Sequence, residues 1–454
     1  MSGDTVYIGC GAGFAGDRFD AAGPVVRTLA RRDGPRYLIF EVLAERTLAI
    51  AQRLRREDPE AGYSPFLDDY VRPVLADCVA NRIRIVSNFG AANPLGAARR
   101  IQAIAAELGI ENLKVGVVEG DDLLGIMSAD EVRALPTVEG LPLAGVDLVA
   151  ANAYLGARPV AAALALGADV VAVGRCTDVA LTLGPLIHEF GWAEDDWDRL
   201  AAGTVAGHLL ECGAQVTGSY FADPGYKDVP ALARVGFPIG EIGRDGSVVI
   251  TKAEDTGGMV SERTVKEQIL YEVHDPSAYL TPDVVLDLTG VEVRQVGPDR
   301  VAVIGAAGHP RPPTLKATVS LDGGWLGEAE MSYAGPNALA RAELAVEVLR
   351  ERFATLGVNS PVRYDIIGVM STFDGDGAPL RKAAAPSPDG DYRVRVAVRS
   401  LDRKVAERVT NEVLALYCCG PAGGGGQRQS ITSQIQTASV LVDRDRVRPR
   451  VALA

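Results

Sequence analysis

Six short β-prone apolar runs, each emptying into a turn rich in glycine or polar residues, constrain this chain more than any other feature. They lie at 5–8, 37–40, 83–87, 113–118, 146–151 and 169–173. Helical spacing of apolar positions recurs between them, at 21–32, 43–56, 66–82 (broken near Pro73), 95–108 and 158–166. Parallel strands can be joined only by a crossover, usually a helix, so this alternation predicts an α/β fold: a parallel sheet flanked by helices on both faces. All strand C-termini then open on one edge, where ligands bind in such sheets. The loops expected at that edge carry Gly11 and Gly13, Glu41, Asn88 and Asn93, Glu119, Asp121 and Asp122, Asn152, Arg175 and Asp178. Any one of these residues is explained as a helix cap. The recurrence of amides and carboxylates after strand upon strand predicts a site.

The first turn is the most marked, with glycines at 9, 11, 13 and 16. Without a Cβ, such a turn lets backbone N–H groups approach a ligand, and the positive end of the following helix favours an anion. Gly11, Gly13 and Gly16 spell G-x-G-x-x-G, but Glu41 is the nearest acidic residue after the second strand and its spacing is irregular. A dinucleotide-binding oxidoreductase is therefore the weakest of the functional readings.

Composition narrows the partners. The 454 residues suffice for two domains, expected at 1–280 (α/β, ligand-binding) and 281–454 (α+β). A formal charge of −13 argues against nucleic acid as the main partner. No uncharged apolar run approaches a membrane-spanning length and no basic segment with an apolar core opens the chain, so a cytoplasmic protein without membrane contact is expected. Six cysteines without a C-x-x-C pair predict buried thiols rather than disulfides or structural zinc. With only four histidines, the chemistry is expected to rest on carboxylates. His208 and Cys212 share a helix face, but as metal ligands they lack a third partner; a packed histidine beside a thiol is expected. A divalent metal on Glu119, Asp121 and Asp122 is not expected either.

Further along, 217–228 has no periodicity and is rich in aromatic and polar groups, which makes Tyr226 and Lys227 binding-loop candidates. Residues 242–251 read as a hairpin turning at Asp245-Gly246. Runs at 284–288, 291–296, 301–305, 315–321 and 327–333 predict an antiparallel sheet in the second domain, joined by strands at 364–369 and 392–400 and helices at 337–353 and 401–416. The glycine run at 420–426, with Gly424 and Gly425 at its centre, is expected to wrap an anion or pack as a loop ahead of a short β-prone tail at 439–442.

The segments GCGAGFAGDR, FEVLAERTLA, SNFGAANP, VVEGDD, HEFGWAEDDWD, GHLLECGAQVTG, FADPGYKD, VHDPSAYLTPDV and GPAGGGG together resemble the acyclic terpene utilisation family, AtuA, over essentially the whole chain. The resemblance implies an acyl-CoA catabolic setting; it brings no agreed reaction or catalytic residues, and the small ferredoxin-like domain that follows in some members is not expected here. With the carboxylates and amides above, the expectation is a lyase, either a hydratase/dehydratase or a C–C lyase, acting on a small hydroxyacyl thioester or hydroxy acid. Glu41, Glu119 or Asp121 would act as general base. The Gly11 and Gly13 amides with Asn88 and Asn93 would stabilise an enolate oxygen. Arg175, Asp178, Tyr226, Lys227, Gly424 and Gly425 would contribute to binding. No cofactor is expected beyond a CoA moiety carried by the substrate, and a homo-oligomer is expected. The alternative is a non-catalytic acyl-CoA-binding or scaffold subunit.

Overall fold

The computed structural model of the chain describes residues 4–140, 142–368, 379–383 and 390–454. They form two compact units, 4–321 with 437–454, and 322–436. The boundary thus falls some forty residues later than the expected 280, and the C-terminal tail belongs to the first unit. The reason lies in strand pairing across long sequence separations, which local pattern does not encode.

The larger unit is built on a ten-stranded mixed sheet. Its parallel centre comprises β1 (Thr5–Ala12), β2 (Arg36–Phe40), β3 (Ile83–Ser87), β4 (Val115–Glu119) and, inserted between β3 and β4, a strand at Val170–Val173. Nearly every residue of these strands is buried, as a sheet covered on both faces requires. The expected strand at 146–151 exists as β5 (Leu148–Ala153) but leaves this sheet. It pairs antiparallel with 317–321 instead, so the Val170–Val173 strand is β6. The predicted hairpin is β7 (Pro238–Gly243) and β8 (Val248–Lys252); Asp245 accepts from Ser247 N, and Gly246 has φ +88°. It joins β1 antiparallel.

Two short strands, β9 (Tyr279–Leu280) and β10 (Val285–Asp287), belong to a separate three-stranded sheet. β11 (Glu292–Gly297) and β12 (Arg300–Ile304), expected in a second domain, extend the large sheet through β8. β13 (Ala307–His309) closes the small sheet, and β14 (Thr314–Ala334) follows, fusing two predicted strands into one of 21 residues.

The smaller unit has its own apolar core. β15 (Val362–Ile367), β16 (Asp391–Ser400), the later part of β14 and the earlier part of β17 (Gly425–Asp443) lie in the order β15, β16, β14, β17. Met331, Tyr333, Val394 and Val396 pack there with Leu349 and Phe353 of the helix Ala338–Thr355 and Val409 and Val413 of the helix Arg403–Cys419. The predicted strand 364–369 ends at Val369, outside the described residues. The glycine run passes directly into β17, which is 19 residues long, not a short tail. Finally β18 (Arg450–Leu453) pairs antiparallel with β4 at the edge of the large sheet.

All six cysteines are free. Cys10, Cys78 and Cys176 are buried and Cys212 is partly so, as expected of core thiols, but Cys418 and Cys419 are exposed where their helix runs out of core. Among the described residues no helix is long and apolar enough to cross a membrane.

Candidate functional site

A cavity of about 1180 Å³ opens at the C-terminal edge of the parallel strands, within the larger unit. The loops after β1, β2 and β6 bring Gly13, Glu41, Arg175 and Asp178 to its wall, and Tyr154, directly after β5's end at Ala153, joins them. Carboxylates outnumber cations along it: Asp17, Glu41, Glu45, Asp178, Glu211 and Glu272 face Arg18, Arg175 and Lys316.

Glu41 follows directly on β2 and is 9% exposed. Its Oε1 accepts from Leu43 N at 3.0 Å and from Asn88 Nδ2 at 2.8 Å. Asn88 is fully buried after the neighbouring β3, and its own Oδ1 accepts from Val42 N at 2.8 Å, so one amide fixes both the carboxylate and the backbone beside it. Burial pushes the Glu41 carboxyl up to about 8; Asp178 adds to the rise, while Arg175 and Asn88 oppose it.

Arg175 is 1% exposed and fully committed. Nε donates to the Cys176 carbonyl at 2.7 Å, Nη1 to the Leu43 carbonyl and Nη2 to Asp178, while the guanidinium stacks 4.6 Å from the centre of the Tyr154 ring. Tyr154 donates its hydroxyl to Glu45, and Lys316 lies 3.7 Å from Glu45 and 4.9 Å from the same ring. On another part of the wall is Glu211, which ends the helix Trp197–Glu211; His208 of the same helix pairs with it, Nδ1 and Oε1 2.8 Å apart. Glu211 Oε2 and Thr177 Oγ1 are buried atoms of the wall without a hydrogen-bond partner among the described residues. Such atoms are uncommon in folded proteins, and in a cavity wall they are free to meet a bound molecule or water.

The other predicted positions have different surroundings. Asp121 is 5% exposed and lies behind the wall, where Oδ2 accepts from Asn152 Nδ2 at 2.8 Å and from Arg175 N at 3.1 Å. Burial raises it to about 6, opposed by those two donors. Its place is beneath Arg175, holding that residue's backbone. Glu119 ends β4, does not line the cavity and faces Arg450 of β18 at 3.8 Å. Asn93 caps the helix Pro94–Glu107 through Gly96 N and donates to the carbonyls of Pro59 and Ala61.

The opening glycines answer to packing. A Cβ on Gly11 would lie 2.5 Å from the Phe40 ring, and one on Gly13 would lie 2.5 Å from the Cys212–Gly213 peptide. The Gly13 N–H is already taken by Asp17 at 2.9 Å, an internal acid where the sequence suggested a bound anion. Tyr226 is 81% exposed, and Lys227 pairs with Glu267 and covers the Phe221 ring, both away from the cavity wall. Gly424 and Gly425 belong to the smaller unit, where Gly424 lies against Met331 and Tyr333 and Gly425 opens β17. His208 pairs with Glu211 rather than with Cys212. Sequence reasoning missed Tyr154 and Lys316 as wall residues; the signal for Tyr154 was its place just past a predicted strand, while Lys316 has no local signature. No cluster of three or more His, Cys, Asp or Glu fit to hold a metal ion occurs among the described residues.

The profile of the acyclic terpene utilisation family protein AtuA matches residues 6–453, nearly the entire chain. The chain belongs to the AtuA family. Neither a curated protein nor a solved structure matches it. AtuA membership therefore names the lineage of the cavity, and its chemistry has to be argued from its own residues.

Proposed function

We propose that this AtuA protein is a lyase, a hydratase/dehydratase or C–C lyase, acting on a small hydroxyacyl thioester or hydroxy acid, with Glu41 as the proton-transfer residue. The observation that carries this reading is a carboxyl lining a large cavity, held at one oxygen by two donors and raised to about 8 by burial. A carboxylate of that basicity is a far better acceptor for a proton next to a carbonyl than an ordinary one, because transfer efficiency follows pKa. Three lining cations against six acids leave little to hold a polyphosphate, so the reacting acyl portion, rather than a nucleotide, suits the interior. Arg175, locked onto two carbonyls and Asp178, shapes the floor; Lys316 is the cation best placed for a substrate carbonyl or carboxylate.

The test is solvent deuterium exchange at the α-carbon of 3-hydroxyacyl thioesters and short hydroxy acids, followed by NMR, for the wild type and E41Q. Exchange with conversion by the wild type, reduced at least a hundredfold in E41Q, supports the reading. Binding of the same compounds without exchange in either protein would favour the non-catalytic acyl-binding role.

A further inference from the structure

Resting on the reading of Glu41 above, we infer that Glu211 is a second proton-transfer residue of the same cavity, the donor to the departing hydroxyl, and that His208 positions it. Both residues are almost wholly buried, His208 3% and Glu211 9% exposed, in the last turn of the helix Trp197–Glu211. One carboxyl oxygen is fixed by the imidazole at 2.8 Å, and the other, Oε2, is buried with no partner among the described residues although Glu211 lines the cavity. A buried carboxyl that satisfies only one oxygen is costly unless a bound molecule meets the other.

The surroundings favour a protonated pair. Burial raises Glu211, and Asp178 and Glu272 add to this against the opposing pull of His208. His208 is itself raised: burial resists its charge, but Glu211 and the backbone at 268–269 outweigh that. Cys212 and Tyr279 complete the ionisable groups facing the pair, with the Tyr279 ring 5.7 Å from the imidazole. Asp178 raises Glu41 as well as Glu211, and all three carboxyls line the same cavity.

For a 3-hydroxyacyl thioester the step balances as follows. Glu41 takes the α-proton, the C–H electron pair becomes the carbon–carbon double bond, and the C–O bond breaks. The leaving oxygen takes the proton from Glu211 Oε2 and departs as water. Glu41 returns its proton to solvent and Glu211 regains one, with no oxidant or reductant involved.

The experiment uses the full chain and 3-hydroxybutyryl-CoA beside 3-fluorobutyryl-CoA, whose fluoride leaves without a proton. E211Q is expected to lose dehydration of the hydroxy compound at least a hundredfold while retaining α-proton exchange and fluoride elimination within about threefold of wild type. H208N, which keeps a donor near Nδ1, is expected to stay within about tenfold of wild type, whereas H208L loses dehydration and shifts its pH profile. Equal loss of hydroxyl and fluoride elimination in E211Q would show a merely structural role and overturn the inference, as would unchanged dehydration. Retained exchange in E41Q, or no reaction by the wild type, overturns the reading of Glu41 and this inference with it.

Discussion

Replacing Glu41 by glutamine should make the protein more stable, and increasingly so as the pH rises. A carboxyl moved from its usual 4.5 to about 8 is one the fold prefers protonated. Its contribution is therefore fully present below about pH 4.5 and is lost as the pH climbs through about 8. At about 1.4 kcal/mol per pH decade, this loss reaches about 3 kcal/mol at pH 7 and at most roughly 5 kcal/mol above pH 8. Glutamine keeps an acceptor for Leu43 N and Asn88 Nδ2 but carries no charge to desolvate. The two proteins should match within about 1 kcal/mol at pH 5, with E41Q ahead by about 2–5 kcal/mol at pH 8.5. Urea titrations at pH 5, 7 and 8.5 measure this, read from the transition that Trp192 and Trp197 of the larger unit report. A gap that stays constant with pH, or a wild type that gains on E41Q as the pH rises, would refute the reasoning.

Other substitutions probe the supports of the same site. N88A strips Glu41 of a donor and leaves the Val42 N–H unanswered in a fully buried place, so it should cost about 3 kcal/mol in urea unfolding and move the Glu41 titration further upward. G13A would drive a methyl into the Cys212–Gly213 peptide and should destabilise the larger unit by about 2 kcal/mol by the same assay. R175K cannot reach the Leu43 and Cys176 carbonyls and Asp178 together; a loss of about 3 kcal/mol is expected, with a lower melting temperature in calorimetry.

What the sequence made legible is local. β1, β2, β3, β4 and β6 have clear apolar runs, and the turn after each was recognisable. Glu41 stood out because an acid directly following a buried strand has to be either capped or used. Partner choice was not legible: β5 leaves the parallel sheet for 317–321, and β11 and β12 extend the large sheet, because pairing is decided by side-chain packing between segments far apart in the chain. Glycines gave an ambiguous signal for a related reason. A turn stripped of Cβ atoms to admit a phosphate and one stripped to admit a neighbouring peptide read alike, and at Gly13 the neighbour is the peptide after Cys212. The His208–Glu211 pair was hidden behind the closer resemblance of His208 and Cys212 to a pair of ligands, although i,i+3 spacing on a helix is equally able to join a histidine to an acid.

The most direct test of the central claim is the titration of Glu41 itself, followed as the protonated carboxyl C=O band in difference infrared spectra of ¹³C-glutamate-labelled protein, with E41Q as the blank. The account predicts a band present at pH 7 that disappears with a midpoint near 8 and is missing in E41Q. A midpoint at the ordinary 4.5 would contradict it.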